Sequence, residues 1–189
     1  MSQNRVRITG GNLRGSYINF LDKYKIKPTK SYIREVIFNT IPSVYNFHCL
    51  DLFSGSGILT AESFSRGANK FTLIEKNKNI CKTIEKEFKR LNIDDCNLFE
   101  EDVLNFLKNR CSDTYDLIFL DPPYHNTLLE KSLKLLQSSG FFINCSYLFF
   151  EQTKKDRKNF DFEALYDDWN VLKDLSIGEV SYTIAKKRN

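Results

Sequence analysis

Cysteine is scarce in this chain and poorly placed for chemistry. The five residues, Cys49, Cys81, Cys96, Cys111 and Cys145, are odd in number, widely spaced and never form C-x-x-C. This excludes the usual zinc spacing and a disulfide framework, so no metal is expected. Cys49 and Cys145 lie in apolar stretches and read as core. The two histidines, His48 and His125, are isolated, and neither has an evident partner for catalysis; His125 reads as loop. No apolar run approaches the length needed to span a membrane, and the opening "MSQNRVRITGGNLRG" has no apolar signal core. A cytoplasmic protein is the expectation. Internal repeats, low-complexity tracts and long linkers are also missing. The 189 residues, 41% of them hydrophobic, suffice for one domain that buries roughly two-thirds of its unfolded surface without covalent staples.

Acidic residues are rare at the start of the chain. Residues 1–35 hold eight Lys and Arg (Arg5, Arg7, Arg14, Lys23, Lys25, Lys27, Lys30, Arg34) against Asp22 and Glu35, a net of +6. The remaining twenty basic and twenty-two acidic residues net −2. A localised positive excess of this kind is the footprint of a segment facing nucleic-acid phosphates. Two short strands, "RVRITGG" and "RGSYINFL", with glycines between them predict a hairpin there. We expect residues 1–26 to be a basic hairpin extension and residues 27–189 to be the main domain. Ile33, Val36, Ile37 and Ile41 then predict a helix, with Thr29 or Ser31 as N-cap.

From residue 47 to about 150, apolar strands alternate with amphipathic helices. The strands are "HCLDLF", "KFTLIE", "NLFEED", "YDLIFL" and "SYLFFEQ". The helices lie around "GILTAESFSRG", "NKNICKTIEKEFKRLN", "VLNFLKNR" and "TLLEKSLKLLQSSG". Such alternation predicts an α/β fold with a mainly parallel, doubly wound sheet. Two late strands, "WNVLKDLSIG" and "EVSYTIAKK", close the chain and bring an antiparallel element.

Within this pattern "LDLFSGSGILTAE" (residues 50–62) is a strand, a Gly-x-Gly turn and a helix start. Gly55 and Gly57 permit a sharp turn and a close approach to a ligand. The next strand ends in Glu75, placed to accept ribose hydroxyls. The dinucleotide fingerprint requires a third glycine where this chain has Thr60. Asp51, before the loop, would repel pyrophosphate but suits an ammonium group. S-adenosylmethionine carries an ammonium and a sulfonium and no phosphate, so these residues favour it over NAD. Asp102 ends the third strand and reads either as an acceptor for the adenine amino group or as a helix N-cap.

Two of the four prolines are consecutive, in "LIFLDPPYHN" (residues 117–126). Proline fixes φ and donates no hydrogen bond. Asp121, Pro122 and Pro123 therefore form a stiff cluster of acceptors beside the aromatic face of Tyr124. The complementary ligand is a planar group bearing an amine. Acceptors that bind both N–H bonds draw the nitrogen toward tetrahedral geometry as it attacks a methyl group, while Tyr124 stacks on the base. On this reading the ring of Tyr124 matters and its hydroxyl does not.

The chain resembles, nearly end to end, the bacterial guanine-N2 methyltransferases of small-subunit (16S) ribosomal RNA. The resemblance rests on "RITGGNLRG" at 7–15, "KPTKSYIRE" at 27–35, "LDLFSGSG" at 50–57, "SRGA" at 65–68, "LIEKN" at 73–77, "DLIFLDPPY" at 116–124 and the closing "GEVSYTIAKK". It implies a Rossmann-like class I S-adenosylmethionine-dependent methyltransferase. Asp51, Phe53, Gly55, Gly57, Glu75 and Asp102 would bind the donor. Asp121, Pro122, Pro123 and Tyr124 would hold the target amine. Arg5, Arg7, Arg14, Lys27, Thr29 and Arg34 would face RNA. Lys27 replaces the family's usual arginine and loses its bidentate fork; Ser31 and Tyr32 replace its usual Asp-Arg pair. The implied partner is small-subunit RNA within a protein-bearing 30S particle, met by a monomer. Two other readings are an adenine-N6 methyltransferase on DNA or RNA, which the same motif serves, and a non-catalytic RNA-binding protein; a NAD enzyme is a more distant one.

Overall fold

The computed structural model describes residues 3–109, 113–124, 127–138, 140–158 and 167–188. His125 and Cys111, together with the side chain of Cys145, lie outside them. Strands β1 (Gln3–Arg7) and β2 (Tyr17–Leu21) form an antiparallel hairpin, and α1 (Ser31–Thr40) follows. Then come β3 (His48–Asp51), α2 (Ile58–Ser65), β4 (Lys70–Ile74), α3 (Lys78–Arg90), β5 (Cys96–Phe99), α4 (Val103–Asn109), β6 (Tyr115–Leu120), α5 (Leu128–Gln137) and β7 (Phe142–Thr153). A short α6 (Lys154–Arg157) precedes the closing strands β8 (Trp169–Ile177) and β9 (Val180–Lys187).

The main sheet has the order β5-β4-β3-β6-β7-β9-β8. Pairings from β5 through β7 are parallel, and β9 is antiparallel to both β7 and β8. The apolar runs behave as strands covered on both faces must: Leu117, Ile118, Phe119 and Leu120 are all fully buried. Strand order reverses between β3 and β6, so the carboxyl ends of these strands open the crevice where such folds bind ligands.

The N-terminal hairpin shares the core of the main body. Ile8 and Ile18 are fully buried in one cluster with Ile33, Ile37, Ala61 and Phe88. Polar contacts reinforce this packing. Asn12 N–H donates to the Ser65 carbonyl (2.7 Å), and Leu13 N–H to Ser65 Oγ (2.8 Å). Gly11 has φ of +74°, and a side chain there would overlap the Ser65 carbonyl. At the other end, the Asn19 N–H and Nδ2 both donate to Glu87 Oε2 on α3, at 2.9 Å each. Thus "RITGGNLRG" and "SRGA", distant in sequence, are two sides of one joint.

The helix start differs from expectation. The N-cap of α1 is Lys30, without a side-chain capping bond, because Thr29 directs its hydroxyl elsewhere. Cys49 is core, as its apolar setting suggested. His48 has a structural setting, with its N–H donating to Asp116 (2.8 Å), its Nε2 lying 3.1 Å from Thr72 Oγ1 and its ring lying against Tyr115.

Candidate active site

A cavity of about 530 Å³ opens at the carboxyl ends of β3, β4 and β6. This volume lies in the range of small-molecule sites. One end is walled by Phe53, Gly55, Glu75 and Asp102, the other by Asp121, Pro122, Pro123 and Tyr124. Lys25, Lys27 and Thr29 close a third side.

The glycine loop builds the first end. Gly55, at φ +52°, turns the backbone, and its N–H donates to Glu75 Oε2 at 3.3 Å. Glu75 Oε1 accepts from the Asn77 N–H at 2.8 Å. The carboxylate is thereby fixed at the strand end, and burial pushes its pKa up. Asp102 Oδ1 accepts from the Leu104 N–H (2.9 Å) and lies more loosely against that of Asn105 (3.4 Å), so this residue caps α4 and also lines the cavity. Both readings of Asp102 are therefore compatible with its position.

Two expected donor-site residues stand behind the wall. Gly57, at φ +74°, is the N-cap of α2, and a Cβ there would lie 2.9 Å from the Phe88 ring. It serves close packing of α2 on α3. Asp51 is 2% exposed, and its Oδ2 accepts from Thr60 Oγ1 at 3.0 Å. Thr60, where a dinucleotide fold would want glycine, instead anchors this acid. Burial pushes Asp51 up to about 7, Thr60 opposes the shift, and the charges of Asp121 and Glu75 add to it.

At the other end, Thr29 Oγ1 donates to Asp121 Oδ2 at 2.7 Å. Asp121 is held by a residue ninety-two positions earlier, at the end of the basic segment. Burial pushes Asp121 up, and the Thr29 bond restrains the shift. The Tyr124 hydroxyl donates to Glu151 Oε1 on β7, one residue past the last β6–β7 pair. Glu151 was not among the residues expected at the site from sequence. The available signal was an acid directly after the apolar run "YLFF", as Glu75 and Asp121 directly follow theirs at the ligand edge of the sheet.

The basic residues divide into two groups. Arg5, Arg7, Arg14, Lys25, Lys27 and Lys30 are exposed, and the Arg5 guanidinium lies 4.4 Å from the Tyr17 ring centroid. Arg34 corrects the expectation of an RNA-facing residue. It is 2% exposed, ion-paired to the fully buried Glu62 at 2.6 Å, and donates to the Arg7 carbonyl at 2.8 Å. Glu62 also accepts from the Thr9 N–H (2.7 Å) and from Arg66. Thr29 likewise is 3% exposed and turned to Asp121, so its side chain does not present a free RNA-facing surface.

A family profile described as conserved hypothetical protein 95 matches residues 6–186. The chain belongs to this family. Among curated relatives of this conserved hypothetical protein 95 member, ribosomal RNA small subunit methyltransferase D of Buchnera aphidicola (from Acyrthosiphon pisum) is 38% identical over 152 residues, 80% of each chain. The protein of that name from Haemophilus influenzae is 31% identical over 97% of this chain and 94% of its own. A solved Escherichia coli structure described as a methyltransferase superposes with a TM-score of 0.86 at 26% identity, covering 98% of this chain and 99% of that one. The fold is that of class I methyltransferases, as the resemblance implied, and it carries the mainly parallel sheet that the alternation of strands and helices predicted.

Proposed function

We propose that this protein transfers a methyl group from S-adenosylmethionine to the exocyclic N2 amine of a guanine in small-subunit ribosomal RNA. One observation carries the reading: a single cavity joins the Gly55–Glu75 end to the Asp121–Tyr124 end. The donor fits what is present, since a fixed carboxylate at a strand end faces a cavity of suitable volume beside a glycine turn. When bound, it supplies an electrophilic methyl group. Asp121 accepts from the amine, and its orientation is set by Thr29. The prolines add no competing donors, and Tyr124 supplies the face on which the base stacks. No strong base is required, because a methylated amine loses its extra proton readily.

Exposed Lys25 and Lys27 on the cavity wall, with exposed Arg5, Arg7 and Arg14 in the same segment of the chain, favour a polyanion as the bearer of the base. The names of the relatives identify small-subunit ribosomal RNA methylation, and the resemblance to guanine-N2 enzymes supplies the amine. We propose a protein-bearing 30S particle as substrate, a monomeric enzyme and a cytoplasmic setting. No helix among the described residues is long and apolar enough to cross a membrane.

The test is incubation with labelled S-adenosylmethionine and small ribosomal subunits lacking the modification, followed by digestion of the RNA. Label in N2-methylguanosine is the expected result. Label in N6-methyladenosine would establish the adenine reading instead, and binding without label would leave an RNA-binding protein.

A further inference from the structure

Leu120 and Phe150 are the last residues paired across β6 and β7, so the residues that follow them, Asp121 and Glu151, place two carboxylates on neighbouring strands just past that pair. Like charges in such positions are unfavourable. Glu151 is also 4% exposed, and its Oε2 has no hydrogen-bond partner among the described residues. Across the antiparallel pair it faces Tyr182, and Tyr32 of α1 packs against the same apolar cluster; both hydroxyls are likewise buried without partners among the described residues. Burial, with the charge of Asp121, pushes the Glu151 pKa up, while the Tyr124 bond and then Lys30 favour the ionised carboxyl. A buried acid beside another acid is a costly residue for a position that an apolar side chain would fill. The bond Glu151 does make is to the Tyr124 hydroxyl.

We infer that Glu151 is a positioning residue: by accepting the Tyr124 hydroxyl bond, it fixes the angle of the ring on which the target base stacks. Tyr124 follows two prolines, which stiffen the backbone before it, while the side chain retains rotation about its own bonds. A hydrogen bond at the far end of the ring removes that freedom. The consequence departs from the expectation that only the ring matters: Tyr124→Phe keeps the face and loses its aim. The inference rests on the proposed methyl transfer.

The experiment is single-turnover methylation of small ribosomal subunits at saturating donor and subunit, with E151A, E151Q, Y124F and the double variant E151A/Y124F. Melting curves report folding, and calorimetry reports donor affinity. A misplaced reacting group costs on the order of 10² in rate, so E151A and Y124F should each slow turnover by about that factor. Donor affinity should stay within about twofold. E151Q, whose amide oxygen still accepts the hydroxyl, should return to within about threefold of wild type. The double variant should be no slower than the worse single one, because both remove the same bond. Multiplying losses, a Y124F variant at the wild-type rate, or an E151Q variant as slow as E151A would each overturn the inference. Y124F and E151Q retain the test if E151A does not fold. Failure of the proposed function is distinguishable, since the wild type itself would then give no N2-methylguanosine.

Discussion

Removing the Asp121 carboxylate takes away a preoriented acceptor and leaves the glycine-loop end of the cavity intact. Asp121→Ala should lower single-turnover methylation on the order of 10²–10³ with donor affinity preserved. Glu75→Ala should do the reverse, weakening donor binding in calorimetry by roughly 1.5–3 kcal/mol per charge-assisted bond lost. Asp51 gives a pH signature. Its pKa is raised in the folded state to about 7 from an ordinary 3.8. The folded protein therefore holds a proton that the unfolded chain releases. The Asp51 contribution to stability is full below 3.8, declines as pH rises and is level above about 7. In urea denaturation across this window, the wild type should lose stability relative to Asp51→Asn as pH rises; a constant difference would show Asp51 ionised at its ordinary pKa. Glu75 and Asp121 were legible because each ends an apolar run that can only be a strand. Arg34 was misread because charge was weighed without periodicity: it lies three residues before Ile37 on the apolar stripe of α1, whose inward face needed a partner for Glu62.

The hairpin is the element whose role changes most when its surroundings are known. Its strands were visible in the glycine and β-branched pattern, but the docking was not, because Ser65, Glu62 and Glu87 lie on helices far along the chain. Gly11→Ala combines a positive φ with overlap against the Ser65 carbonyl. It should cost about 2 kcal/mol or more in urea denaturation. Gly140 is the control: a methyl group added there would meet nothing within 4 Å among the described residues. Its alanine variant should stay within about 0.5 kcal/mol of wild type. Deleting residues 1–26 would uncover Ile33 and Ile37 and remove Tyr24, Lys25 and Ile26 from the cavity wall. Loss of donor binding together with RNA binding is the expected result by calorimetry; a truncated chain that binds donor normally would show the hairpin to be dispensable to the body. Strand β7 also exceeded its sequence pattern, starting at Phe142, because a register shift between Tyr115 and Leu117 lets β6 pair with Phe142 as well as with Tyr147 through Phe150.

Across the whole molecule, the positive face and the buried pair respond differently to salt. Arg5→Ala, Arg7→Ala and Arg14→Ala should each lower the slope of log affinity for RNA against log salt by about one unit or less. Arg34→Ala should act on stability, by about 1–3 kcal/mol, since it takes from the buried Glu62 its 2.6 Å partner and leaves it Arg66 and the Thr9 N–H. Binding titrations at several salt concentrations, with parallel denaturation curves, separate the two classes; an Arg34 variant that folds normally but has a reduced slope would reverse the assignment. The bond between Thr29 and Asp121 has a consequence for biosynthesis. It links residues ninety-two apart, and Tyr124 waits a further twenty-seven for Glu151. A nascent chain that has just released β6 and the turn after it already carries every letter of Asp-Pro-Pro-Tyr, yet lacks the strand that secures the tyrosine. Strand β7 in turn lacks its antiparallel neighbour until β9 emerges. The frame of the tyrosine is therefore completed only after β9 has emerged, and a product terminated before it would display the motif without its frame.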